Sequence, residues 1–137
     1  MLRVPSPLSP EVEELVTKVV DVGFTVHSIL GPGFKESIYQ RAFCLELDER
    51  GLKFECEKKI EVTYKEWKIP GQKVDLIVEG LVLVELKCVP RLRILHRQQA
   101  ISYLKTLDLE IALLMNFNTA LIKNGIKRVI RPRSNRD

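Results

Sequence analysis

The chain has 137 residues, 45% of them apolar and 29% charged. These are the proportions of one globular domain large enough to fold without disulfide or metal staples. No apolar run is long enough for a membrane span, and the N-terminus lacks the basic patch and long apolar stretch of a secretory signal, so neither is expected. The net charge of +4 arises at one end: residues 122–137 carry six Lys/Arg against one Asp, and the first 121 residues carry 16 against 17 acids. A polyanionic partner and a solubilising tail would each account for that asymmetry.

Residues 1–10 contain three prolines and read as an irregular arm. A helix is expected over 11–30, where Leu15, Val19, Val22, Val26 and Leu30 recur at helical spacing. "GPG" at 31–33 ends it. A second helix is expected over 35–50, with Phe34, Ile38, Ala42 and Leu45 as its apolar side and Gly51 as its C-cap. The period then changes to two at Ile60, Val62 and Tyr64. "WKIPGQK" reads as a turn that leads into a strand, and "KVDLIVEG" and "LVLVELK" read as two strands around a tight connection. Arg91 to Leu107 is helical in its later part, with Ile94, Ile101 and Leu104 apolar. Residues 110–117 form an interior strand, and "GIKRVIRP" forms a short last strand stopped by Pro132. The order α-α-β-β-β-α-β-β predicts an α/β fold. It is a mixed sheet flanked by helices, with hairpins at both ends and a crossover through the third helix. Residues 11–131 form a single domain in this reading, and 132–137 a basic tail.

Cys44, Cys56 and Cys88 are odd in number and widely spaced. That fits buried thiols in a reducing, cytoplasmic setting better than a disulfide framework. With only His27 and His96 to add imidazoles, a zinc site is not expected.

The informative stretch is "LVLVELKCV", residues 81–89, an apolar strand interrupted by Glu85 and Lys87. Residues two apart share a face, and buried charges need partners. Asp75 interrupts the neighbouring strand in the same way. Two registers are open. With Val78 paired to Leu81, Asp75 faces away from Glu85. With a three-residue loop and Ile77 paired to Leu81, Asp75 lies opposite Leu83, and the two carboxylates become diagonal neighbours on one face. The second is the expected register, and Gly80 favours it. Two carboxylates held close take up a proton or a cation. Hard oxygen ligands suit Mg²⁺ or Mn²⁺, and the backbone carbonyl of Leu86 can add a third oxygen. A neighbouring lysine can steady a water nucleophile or the charge growing on a phosphate. A structural ion network is the plainer explanation of the same three residues.

Asp75 followed by "E-L-K" at 85–87 resembles the signature of the PD-(D/E)XK nuclease superfamily. "HSILGPGFKESIYQRAFCLEL" at 27–47, with Gly33, Glu36 and Tyr39, is similar to the opening of its small GxxExxY branch. So are residues 71–89, residues 96–118 and "IKRVIRP" at 126–132. The resemblance implies a restriction-endonuclease-like core with Asp75 and Glu85 as metal-binding acids and Lys87 as the catalytic lysine. It also implies that Glu36 supplements the metal site from the first core helix. Gln99 and Tyr103 resemble a Q-x-x-x-Y motif that places both on one helix face, and His96 shares that side. Lys73 stands where arginine is usual, and the proline of "PD" is absent.

The function implied is a Mg²⁺- or Mn²⁺-dependent nuclease that hydrolyses phosphodiester bonds in DNA, or else RNA. The alternative is a catalytically silent nucleic-acid-binding or protein-assembly module that keeps the fold. A homodimer is compatible with either, and a membrane partner with neither. "LGPGF" lacks the lysine and hydroxyl residue of a phosphate-binding loop and reads as a turn that delivers Glu36. Tyr64 and Trp67 either stack on bases or pack within the sheet.

Overall fold

A computed structural model describes residues 6–132. Helix α1 runs Pro10–Leu30 and α2 Glu36–Glu49; β1 is Phe54–Tyr64, β2 Trp67–Val78 and β3 Val82–Lys87. Helix α3 is Ile94–Leu107, β4 Ile111–Asn116 and β5 Ile126–Ile130, with a single 3₁₀ turn at Ile122–Asn124 before β5. The element order is the one read from the sequence. The structural part of the N-terminal arm is short, since α1 begins at Pro10 with Ser9 as its cap: the Ser9 hydroxyl accepts from the Val12 amide at 3.2 Å. Residues 1–5 of that arm, and residues 133–137 of the basic tail, lie outside the described residues.

The five strands lie in sequence order. β3 and β4 are parallel and every other neighbouring pair is antiparallel. Parallel pairing of consecutive strands requires a crossover, which α3 supplies. Strands β1 and β5 form the two edges of the sheet. One face is covered by α1 and α2, where Val19, Val22, Tyr39, Phe43 and Leu47 pack on Leu76, Val84, Leu113 and Met115. The other face is covered by α3, where Ala100, Tyr103 and Leu104 pack on Ile77, Leu83, Ala112 and Leu114. With cover on both faces, β4 is apolar from Ile111 to Met115 and buried at every position.

Several expectations are corrected. Helix α2 buries Tyr39, Phe43, Cys44 and Leu47 and leaves Phe34, Ile38 and Leu45 exposed. Both stripes have helical spacing, and the one richer in aromatic area faces the sheet. Ile94 is likewise exposed at the start of α3. "WKIPGQK" is strand rather than turn. The reversal is Lys65–Glu66, closed by Tyr64 opposite Trp67, with Lys65 in the left-handed region at φ 55°. Pro70 and Gly71 are absorbed by a bulge between the Ile60–Gln72 and Val62–Ile69 pairs, where a proline needs no ladder partner and Gly71 adopts φ 120°. The three cysteines are free, but Cys56 is exposed and only Cys44 is buried.

Candidate active site

The β2–β3 register matches neither option drawn from the sequence. Val78 pairs with Val82, Ile77 with Leu83 and Leu76 with Val84. The loop is three residues long, as expected, but it is Glu79–Gly80–Leu81, with Glu79 and Gly80 both at positive φ. The closing pair is one step from the expected Ile77–Leu81 pair. The pairing extrapolates to Asp75 directly opposite Glu85, so the expected sharing of one face holds and the contact is closer than a diagonal one.

Past Leu76–Val84 the two strands stop pairing as an ordinary ladder, and their carboxylates take over. Glu85 Oε2 accepts from the Asp75 amide at 2.8 Å, and Asp75 Oδ2 accepts from the Leu86 amide at 2.8 Å. Each acid satisfies a backbone donor of the other strand, a donor the splayed ladder would otherwise strand. The fork fixes both side chains and leaves each carboxylate one further oxygen.

Glu85 is buried, at 4% exposure, and its carboxyl is pushed up from the ordinary 4.5 to about 8. Burial is the main cause, followed by the negative charge of Asp75. The Asp75 amide and the positive charge of Lys87 act in the opposite sense. This is the behaviour of two acids that share a confined site without a full counter-charge. Lys87, half-buried at the end of β3, shares the Glu85 face. Its carbonyl accepts from the Phe117 amide at 2.9 Å.

Glu36 opens α2 and remains solvent-accessible. Its carboxyl is pushed upward by partial burial and then by the charge of Asp75, with Lys87 opposing. Glu36 thus senses the charges of Asp75 and Lys87 from the start of α2. Among the described residues, however, no three His, Cys, Asp or Glu side chains converge as a ligand cluster. Tyr39, one turn later, anchors the delivery: it is fully buried, and its ring stacks on Phe117 with centroids 4.5 Å apart. Its hydroxyl donates to the Gly31 carbonyl at 2.5 Å and accepts from the Phe34 amide at 3.2 Å. The tyrosine of the motif thus latches the "GPGF" turn that positions Glu36.

Gln99 and Tyr103 part company. Tyr103 is buried and donates to Gln72 Oε1 at 3.0 Å. Its hydroxyl is pushed upward by burial and then by the charges of Glu85 and Asp75. Gln99 is exposed on α3. His96 is committed to capping α3, where its Nδ1 accepts from the Arg93 amide at 2.9 Å.

Two supporting residues escaped the sequence reading. Gln72 is the Tyr103 partner, and nothing in its polar surroundings marks it. Asn116 is buried at the end of β4 and clamps the chain just beyond Lys87. It accepts from the Val89 amide at 3.1 Å and donates to the Val89 carbonyl at 2.9 Å. An asparagine ending an apolar run was the available signal.

The donor set fits a hard divalent cation. Two carboxylates each keep an oxygen free of amide bonds, and ionisation of the buried one is held back by burial and then by its neighbour's charge. Mg²⁺-type ions bind through one or two carboxylates and retain waters, so a third acidic ligand is not required. Three helices around a five-stranded mixed sheet define an α/β protein. The chain belongs to the PD-(D/E)XK nuclease superfamily, whose family profile matches residues 13–129. Nucleases of this superfamily typically use divalent metal ions and act on nucleic acid. No curated protein and no solved structure is significantly similar to the chain. Among the described residues no helix is long and apolar enough to cross a membrane.

Proposed function

We propose that the chain is a divalent-metal-dependent nuclease that hydrolyses phosphodiester bonds in DNA, with RNA the second choice, and that it falls within the GxxExxY branch of its superfamily. The observation that carries this reading is the reciprocal lock between Asp75 and Glu85, with Lys87 on the same face. A plain ion pair between Glu85 and Lys87 would leave the second carboxylate unexplained. Asp75 and Glu85 would hold Mg²⁺ or Mn²⁺, with the Leu86 carbonyl as a further oxygen and Glu36 as a supplementary acid from α2. A bound ion would supply charge neutralisation at the phosphate.

Lys87 orients the attacking water and stabilises the charge that grows on the phosphoryl oxygens. The water oxygen forms the new bond to phosphorus as the bond to the leaving ribose oxygen breaks. The water's proton passes to solvent, and the leaving oxygen takes one from solvent. Tyr103 and Gln72 close the site from the α3 side, and Gln99 contacts substrate from the rim of α3. Residues 11–131 act as one catalytic domain, with the arginines of the C-terminal tail and Arg91, Arg93 and Arg97 holding the nucleic-acid backbone.

Cleavage of single-stranded, duplex and branched DNA with Mg²⁺ or Mn²⁺ tests the reading. Turnover is expected to vanish in EDTA and to fall at least about 100-fold in Lys87→Ala. Nucleic-acid binding without turnover in either protein would instead establish the silent-module alternative.

A further inference from the structure

The β1–β2 hairpin outruns the sheet it belongs to. β3 pairs with β2 only over Leu76–Val78, whereas the hairpin continues to its turn at Lys65–Glu66, and residues 61–73 are exposed without exception. Tyr64 stands opposite Trp67, and Val62 opposite Ile69. Opposed residues, and residues two apart, share a face. Four large apolar side chains therefore lie together on one side of the arm, each 39–58% exposed. Packing within the sheet, one of the two roles open to Tyr64 and Trp67 from sequence, is not what they do.

That face leads to the fork. Ile60 is next in the alternation and is buried against the α3 cluster; its partner across the hairpin is Gln72, which holds Tyr103. Val62 shares a hollow of about 400 Å³ with Ser102 and Thr106 of α3. Trp67 and Asp75 are eight residue steps apart along the chain, a span of roughly 25 Å.

The charge of the arm selects its occupant. Residues 58–73 hold five lysines against two glutamates. Lys58 and Lys73 are paired with Glu55 and Glu57. Lys65 and Lys68 form no ion pair among the described residues, and Lys65 Nζ lies 5.5 Å from the centre of the Tyr64 ring. A second copy of the chain docked on this face would bring two net-positive arms together. A duplex would offer phosphates but keep its base faces stacked. Flat aromatic rings bordered by lysines complement unpaired bases joined by phosphates.

We infer that the β1–β2 arm is a stacking platform for single-stranded nucleic acid. Tyr64 and Trp67 receive bases, Lys65 and Lys68 contact phosphates, and the strand is led along β2 to the Asp75–Glu85 fork. The inference rests on the reading that the chain acts on nucleic acid.

Trp67 is the sole tryptophan, so its fluorescence reports on the arm alone. Oligothymidylate of about 12 nucleotides, titrated into the full chain in EDTA, should quench that emission. Tyr64→Ala should weaken binding about 5- to 150-fold by the same signal. Trp67→Ala, followed by anisotropy of a labelled oligonucleotide, should lose a comparable factor, with most of it restored in Trp67→Phe. Leu121→Ala, an exposed apolar change in the β4–β5 connection, should bind as the wild type does. Unchanged emission, wild-type affinity in both Tyr64→Ala and Trp67→Ala, or tighter quenching by duplex than by single strand would overturn the platform. So would loss of a wild-type dimer in Trp67→Ala during sedimentation. Hydrolysis of bis(p-nitrophenyl) phosphate with Mn²⁺, compared between wild type and Lys87→Ala, tests the fork separately. Hydrolysis without quenching sinks the arm and keeps the nuclease; quenching without hydrolysis does the reverse.

Discussion

Replacing Glu85 by glutamine, a neutral side chain of the same shape, asks how much stability the acid pair costs. The amide oxygen of glutamine can still accept from the Asp75 backbone N–H, so the lock described above is kept while the charge is removed. In the folded wild type the Glu85 carboxyl rises from 4.5 to about 8, chiefly through burial and then through Asp75. Between those values the native state binds a proton that the unfolded chain has released, and stability therefore falls as pH rises through this window. Three and a half decades of proton affinity, at about 1.4 kcal/mol per decade, set a ceiling of about 5 kcal/mol. The proton belongs to the Asp75–Glu85 pair as a unit, so the measured span will be smaller than that ceiling.

Urea unfolding in EDTA at intervals from about pH 4.5 to about pH 9 is the assay. The wild type should lose stability up to about pH 8 and level off, and Glu85→Gln should lack that slope and be the more stable protein at the alkaline end. Adding Mn²⁺ or Mg²⁺ at about pH 8 should restore the wild type and leave the variant unmoved, because ligand binding to the native state stabilises it by mass action. The difference between the two proteins isolates this residue from Glu36, whose raised carboxyl slopes the same way, and from Glu13. Arg128 holds the Glu13 carboxyl low, so Glu13 loses stability as pH falls. Parallel curves for wild type and variant across the window would refute the reasoning.

Tyr39→Phe removes the hydroxyl that bridges the Gly31 carbonyl and the Phe34 amide; about 1–3 kcal/mol of stability should go with it, read by denaturant unfolding. If the reading of Glu36 is correct, metal affinity measured by titration calorimetry should weaken in the same variant. Gly125→Ala would put a Cβ 2.2 Å from the Asn116 carbonyl oxygen, which is backbone and cannot step aside. A loss of more than about 2 kcal/mol is expected, with the β4–β5 pairing disturbed in amide exchange.

Element types were legible because their periods are clean. Apolar residues recur every three to four positions through α1, and β4 is a short unbroken apolar run with a helical segment before it. The acid pair was legible because charge inside an apolar strand is costly and so demands a reason. What the sequence could not resolve were choices between near-equal options. Helix α2 carries two apolar stripes, and the heavier aromatic one won. The register of β2 on β3 differs by a single closing pair between Ile77–Leu81 and the observed Val78–Val82, a matter of loop geometry at Glu79 and Gly80. Pro70–Gly71 normally breaks structure, and only a bulge in an exposed arm lets a strand run through it. Gln72 and Asn116 act through tertiary contacts with Tyr103 and Val89, and local pattern does not mark such partners.

The parallel seam between β3 and β4 also orders the folding of the molecule. Strands β1 to β3 can meander together through short reversals, whereas joining β4 to β3 must wait for the chain to travel through α3, a loop closure with a larger entropic barrier. Asp75 and Glu85 lie wholly in the early half, where water still surrounds them. Their mutual repulsion is felt in full only when α3 brings Tyr103 down onto the sheet, so the last step of collapse, rather than the first, bears the strain of bringing the two acids together.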